Sequence, residues 1–145
     1  MSRFSLRTRT TVTTNAAACY ELIGSTSGPR TALLELHLFL GAATQSLYGL
    51  GRPAAIGVTP TSPVTLLAED PGDGSPQAKT AVAWGTGPTV PANFLRCVNL
   101  PAAIGAGIIW TFGPKGLVIP TSGSLVLWNL QANSAALDVV AVVEE

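Results

Sequence analysis

This 145-residue sequence is poor in ionised side chains. It carries eight Lys/Arg, eight Asp/Glu and one histidine, so 11% of its residues are charged, whereas an average domain carries about 25%. A net charge of zero argues against a generic nucleic-acid binder, which needs a positive surplus. Cysteine is scarce: Cys19 and Cys97 lie far apart and fit no metal-ligand spacing. They are expected to be buried, reduced core residues, because a chain this long needs no disulfide staple. Long apolar runs are missing too. The longest uncharged stretch, 116–137, is interrupted by Pro120, Gln131 and two asparagines, which excludes a membrane-spanning helix of about 20 apolar residues. The first ten residues hold three arginines with no apolar run behind them, unlike a secretory leader. A hydrophobic share of 47% without net charge excludes disorder. Fifteen glycines and eleven prolines exclude a long-helix or coiled-coil protein.

A chain of this length buries roughly 68% of its unfolded surface. The remaining exterior of a soluble monomer is usually about 25–35% charged, which sixteen charges cannot supply. The expectation is a surface coated with hydroxyl and amide side chains and partly covered by other subunits. That describes an obligate oligomer or a component of a larger shell.

Between the many Gly and Pro breakers lie short segments rich in Val, Leu, Ile, Thr and Trp, the pattern of a many-stranded sandwich or barrel. Strands are predicted at residues 5–14, 18–24, 31–40, 64–68, 78–84, 93–100, 108–112, 117–119, 124–130 and 135–143. In the first, Arg3, Ser5, Arg7, Arg9, Thr11 and Thr13 share one face by strict alternation. In the third, Leu34, Leu36, Leu38 and Leu40 face one way and Leu33, Glu35, His37 and Phe39 the other. Residues 41–63 read as a long ordered loop that packs on something, with Tyr48, Leu50 and Arg52 as its contact residues. One domain is expected over 1–145: all-β, a jelly-roll-like antiparallel β-sandwich, with residues 1–14 as an N-terminal strand or arm.

Motifs for catalysis are thin. His37 is the only histidine and no sequence pattern joins it to a nucleophile and an acid, so a structural role is expected. The stretch Glu69-Asp70-Pro71-Gly72-Asp73-Gly74 lacks the ligand spacing and closing glutamate of a calcium loop and reads as a solvated turn. Gly49-Leu50-Gly51 lacks the third glycine of a phosphate cradle and reads as a turn needing positive φ. Trp84, Trp110 and Trp128 sit in apolar segments and read as core. No catalytic residue, metal or cofactor is expected. Charge is nevertheless polarised: residues 1–30 carry a net +3 and residues 31–145 a net −3. Arg3, Arg7 and Arg9 with Thr11 and Thr13 are therefore the expected contact to an acidic partner surface.

Several runs carry a resemblance. They are Gly49-Leu50-Gly51-Arg52-Pro53-Ala54, Leu66-Leu67-Ala68-Glu69-Asp70-Pro71, Phe94-Leu95-Arg96, Leu100-Pro101-Ala102, Ile104-Gly105-Ala106-Gly107-Ile108-Ile109-Trp110-Thr111-Phe112 and Pro120-Thr121-Ser122-Gly123-Ser124-Leu125-Val126-Leu127-Trp128-Asn129. In order and spacing they resemble small β-rich proteins encoded by tailed bacteriophages and prophages, over about two-thirds of the chain. The sequence departs from that pattern at Cys97, where a second basic residue would follow Arg96. The resemblance implies a virion component similar to capsid decoration (cement) proteins, assembled in the host cytoplasm. It implies a non-enzymatic homo-oligomer, a trimer by preference, whose partner is the major capsid protein or another virion protein. The alternative is a host-surface or glycan-binding module on a tail or head fibre. Neither reading involves a membrane or direct nucleic-acid contact.

Overall fold

The structure is a computed structural model and describes residues 1–10, 14–132 and 134–145. Among these, every regular element is a strand: β1 (Arg3–Thr10), β2 (Ala17–Ile23), β3 (Thr31–Leu40), β4 (Ser46–Gly51), β5 (Val58–Pro60), β6 (Pro63–Val64), β7 (Leu67–Ala68), β8 (Lys79–Ala81), β9 (Trp84–Thr86), β10 (Arg96–Leu100), β11 (Gly107–Thr111), β12 (Leu117–Ile119), β13 (Ser124–Asn129) and β14 (Leu137–Glu144).

The last strand shows why these segments extend. In β14, Leu137, Val139, Ala141 and Val143 are buried, while Asp138, Val140, Val142 and Glu144 between them are half-buried. That period of two, filled with β-branched side chains, suits a pleated sheet with one covered face. Its antiparallel partners are β1 on one side and β3 on the other. In β3 the leucine alternation is interrupted once. Leu36, Leu38 and Leu40 are buried as predicted, but so is Leu33, while Leu34 is half-buried. The pairing with β14 explains this: Val142 opposes Glu35 and Val143 opposes Leu33, skipping Leu34. One extra residue in a bulge reverses which side chains face inward.

Two six-stranded antiparallel sheets result. In one, the β14 sheet, the order is β11-β3-β14-β1-β7, with β12 beside β11 on the same edge of β3. In the other, the β13 sheet, it is β10-β4-β13-β2-β8-β6. They meet across one apolar core that includes Phe4, Leu6, Leu36, Leu38 and Val139 from the first and Tyr20, Leu22, Tyr48, Leu125 and Leu127 from the second. Full burial of each such side chain is worth roughly 1.5–3 kcal/mol.

The β13 sheet carries a second cover on its other face. All six residues of β13 are buried: Leu125 and Leu127 enter the core, and Val126 and Trp128 lie on the opposite face. There residues 52–62 and 84–95 form an outer layer that includes the small β5–β9 pair. Two glycines of β4 make room for it. A Cβ on Gly49 would stand 2.8 Å from both Phe94 and Leu130, and one on Gly51 would press on Pro91 and Phe94. This corrects the expected loop over 41–63. Tyr48 and Leu50 are fully buried in β4 and cannot touch a partner. Gly49 and Gly51 are small because a layer lies on them, not because φ is positive; among the described glycines that holds at Gly105, Gly113 and Gly116.

Other expectations are adjusted more mildly. The first strand is Arg3–Thr10 and the segment 64–68 splits into two short pieces. The Glu69–Gly74 stretch is a turn, with Asp70 Oδ1 accepting from the Gly72 N–H at 2.8 Å.

Candidate functional site

Alternation along β1 turns Arg3, Arg7 and Arg9 outward, opposite buried Phe4, Leu6 and Thr10. The register sets them beside the acids of β14: Arg9 faces Asp138 and Arg3 faces Glu144. Arg9 grips Asp138 with two hydrogen bonds, Nε to Oδ1 at 2.9 Å and a terminal nitrogen to Oδ2 at 2.7 Å. Arg7 reaches the same Oδ1 at 3.2 Å, and Arg3 lies 3.6 Å from Glu144. The hydrogen bond from Arg9 is the main reason the Asp138 carboxyl sits below its ordinary range. In turn Asp138 raises the Arg9 guanidinium, first through that hydrogen bond. The charge polarity of the sequence is thus largely closed inside the sheet, with three guanidiniums set against two carboxylates. Thr11 and Thr13 lie outside the described residues.

Across the outward face of the β14 sheet, the register aligns Arg7, Val140, His37 and Ile109 in one row and Ser5, Val142, Glu35 and Thr111 in the next. His37 Nε2 meets Glu35 Oε2 at 2.9 Å. The only histidine therefore stands on an open sheet face, between two aliphatic neighbours. Arg52 is exposed just beyond β4 and donates to the Val118 carbonyl at 2.9 Å, tying one sheet to the other.

Two carboxylates the sequence did not single out each accept three hydrogen bonds. Glu21, on β2, is fully buried on the covered face of the β13 sheet. Its Oε2 accepts from Trp84 Nε1 at 2.7 Å, and its Oε1 accepts from Ser124 Oγ at 2.7 Å and the Gly57 N–H at 3.2 Å. Trp84 and Gly57 belong to the outer layer, so this carboxylate pins that layer to the sheet. Glu145 accepts from the Ala78 N–H at 2.6 Å, the Gln77 N–H at 2.8 Å and Thr31 Oγ1 at 3.1 Å. Neither acid has a signal in the sequence, because their donors lie far along the chain.

The surface carries several open concavities. One of about 240 Å³ is lined mainly by Pro60, Pro63, Val64, Leu66 and Pro76, below the usual 300–1,000 Å³ of small-molecule sites. A wider, open one is lined by Met1, Arg3, Glu69, Asp70, Asp73 and Glu144. Among the described residues no group of three His, Cys, Asp or Glu is placed to hold a metal ion. Both thiols are free. Cys19 is in the core, where burial pushes its thiol up to about 12. Cys97 is exposed on β10, which corrects the expectation that both are buried. As the outermost strand of its sheet, β10 has one edge unpaired among the described residues. Trp128 and Trp110 are buried and Trp84 half-buried.

Fold and surface define an all-β, β-sandwich-like protein of antiparallel sheets. No known protein family matches the chain, and neither does any curated protein or solved structure.

Proposed function

We propose that this chain is a non-enzymatic structural protein of a virion: a jelly-roll decoration or cement protein that binds the assembled capsid as a homo-oligomer, a trimer by preference. The observation that carries the reading is the strand order. The major strands run β1-β14-β3-β11 in one sheet and β2-β13-β4-β10 in the other. The last two, β13 and β14, insert between the early pairs β2/β4 and β1/β3. Eight strands wound as two Greek keys have this order, an architecture recurrent in viral capsid and lectin domains.

Between those two classes the side chains favour the capsid. A lectin-like site would offer an aromatic platform, and each of the nine aromatic side chains here is buried or half-buried. The open face of the β14 sheet sets Arg3, Arg7 and Arg9 against Asp138, Glu144 and Glu35, so its exposed guanidiniums are available to an acidic capsid surface without a surplus of positive charge. Binding the lattice but not its free subunits would stabilise the shell by mass action. At a free concentration a hundred times Kd this amounts to about 2.7 kcal/mol per site.

The experiment uses purified phage particles with and without the protein, heated while DNA release is followed. Particles lacking it are expected to release DNA at lower temperature, and added protein should restore the wild-type value. Equal release temperatures, with no protein bound to particles, would overturn the reading.

A further inference from the structure

The two sides of the sandwich end differently. On one side the outermost strand of the β13 sheet is β6, which begins with Pro63 and so lacks one ladder N–H. The neighbouring edge of the β14 sheet is the two-residue β7, which pairs only with Phe4 and Ser5 and leaves Arg7 and Arg9 beside the rest of β1. Proline, short edge strands and charge are the devices that keep sheet edges from pairing with other chains.

On the opposite side these devices are sparser: Arg96 opens β10 and the short β12 continues the edge beyond β11. Among the described residues β10 pairs only with β4, and β11 only with β3. Both strands and the loop between them fall within residues 96–111. From 97 to 114 there is no Lys, Arg, Asp, Glu or His. Apolar side chains stand in solvent along this side: Ile104 is 76% and Ile109 52% exposed, with Leu95 and Cys97 also exposed. Two adjacent edges of this kind, uncharged from Cys97 to Pro114, are a template for strand pairing or apolar contact.

We infer that the β10–β11 side is the surface through which this chain binds a second copy of itself. Charge decides the occupant. A strongly acidic or basic partner would find nothing to pair with between Cys97 and Pro114. Two copies brought together here oppose no like charges across the contact, since Arg96 stands only at its rim. The same approach at the other side would set Arg7 and Arg9 against their own kind. The inference rests on the reading of the chain as a homo-oligomeric shell component and names the face that reading requires.

Sedimentation equilibrium of the full chain tests it, with wild type beside Ile104→Asp, Ile109→Asp and, on the opposite side, Leu67→Asp. Leu67 is 66% exposed, so all three positions tolerate a charge in the folded subunit. Wild type should self-associate. Each isoleucine variant should weaken association about a hundredfold, because the contact would bury an unpaired carboxylate, and Leu67→Asp should leave it unchanged. Labelling of Cys97 by a maleimide should slow as wild type associates and stay fast in Ile109→Asp. A wild type that is monomeric, or that associates with full strength in both isoleucine variants, overturns the inference. A monomer that still raises the DNA-release temperature of particles would refute this surface and spare the virion reading. An oligomer broken by the isoleucine variants but never bound to particles would do the reverse.

Discussion

Replacing Glu21 by glutamine keeps the side-chain volume and changes only what the group can accept. The carboxylate uses both oxygens: one serves Ser124 Oγ and the Gly57 N–H, the other the Trp84 indole N–H. An amide has one acceptor oxygen. Turned toward Ser124 and Gly57, it sets its NH2 against the indole N–H; turned the other way, it abandons two donors, of which only the Ser124 hydroxyl can rotate to accept. A buried hydrogen bond to a charged group is worth about 1.5–3 kcal/mol, and an orphaned buried donor costs about 1–3 kcal/mol. Glu21→Gln should therefore destabilise the chain by about 2–4 kcal/mol, a large share of the roughly 5–15 kcal/mol that holds a domain folded. Urea unfolding followed by tryptophan fluorescence measures the loss, and amide exchange at Gly57 and at the Trp84 indole locates it in the outer layer. In a double-mutant cycle, Trp84→Phe should make the glutamine substitution cheaper by about 1 kcal/mol or more, because the two side chains share one bond. The reasoning fails if Glu21→Gln lies within about 0.5 kcal/mol of wild type and is additive with Trp84→Phe.

Three further outcomes are expected. Gly57→Ala should destabilise about as strongly as overpacking a core, by about 1–3 kcal/mol, since its Cβ would strike the Trp84 ring and stand 2.6 Å from Glu21 Oε2; an unchanged urea midpoint would contradict this packing. Asp138 sits below its ordinary range because of Arg9, so its contribution is present above the unfolded value of about 3.9 and fades as pH falls through the folded one. Asp138→Asn should lower the urea midpoint near neutrality and converge on wild type in acid, whereas a gap independent of pH would contradict the pairing. With a thiol reagent the native chain should titrate one cysteine, Cys97, and the urea-unfolded chain two; two in the native state would place Cys19 outside the core.

The fold class was readable because its strands follow simple rules. Thr31–Leu40 and Leu117–Ile119 have the predicted bounds, and the alternating β14 differs by a residue or two. What stayed hidden depends on a third layer. Gly49 and Gly51 look like turn residues until Phe94 is seen lying on them, and with them Tyr48 and Leu50 moved from loop to core. The bulge at Leu34 is equally silent, since any leucine in that run could have been the extra one. Of the expected contact residues, Arg3, Arg7 and Arg9 do share an exposed face, but their partners on β14 are about 130 residues away, beyond any local pattern. Glu21 and Glu145 escaped for the same reason.

The place of β14 has a consequence for how the chain is made. It is the last strand of the fold, yet it occupies the middle of its sheet, between β1 and β3. A nascent chain ending at residue 136 has an open slot there, with Phe4, Leu6, Leu36 and Leu38 lacking their covering strand. That sheet cannot close until residues 137–144 have emerged from the ribosome, and the pairing then joins Ser2 to Glu145. Such long-range closure is slow, so the nascent polypeptide has to be kept from sticking to its neighbours until β14 has been made.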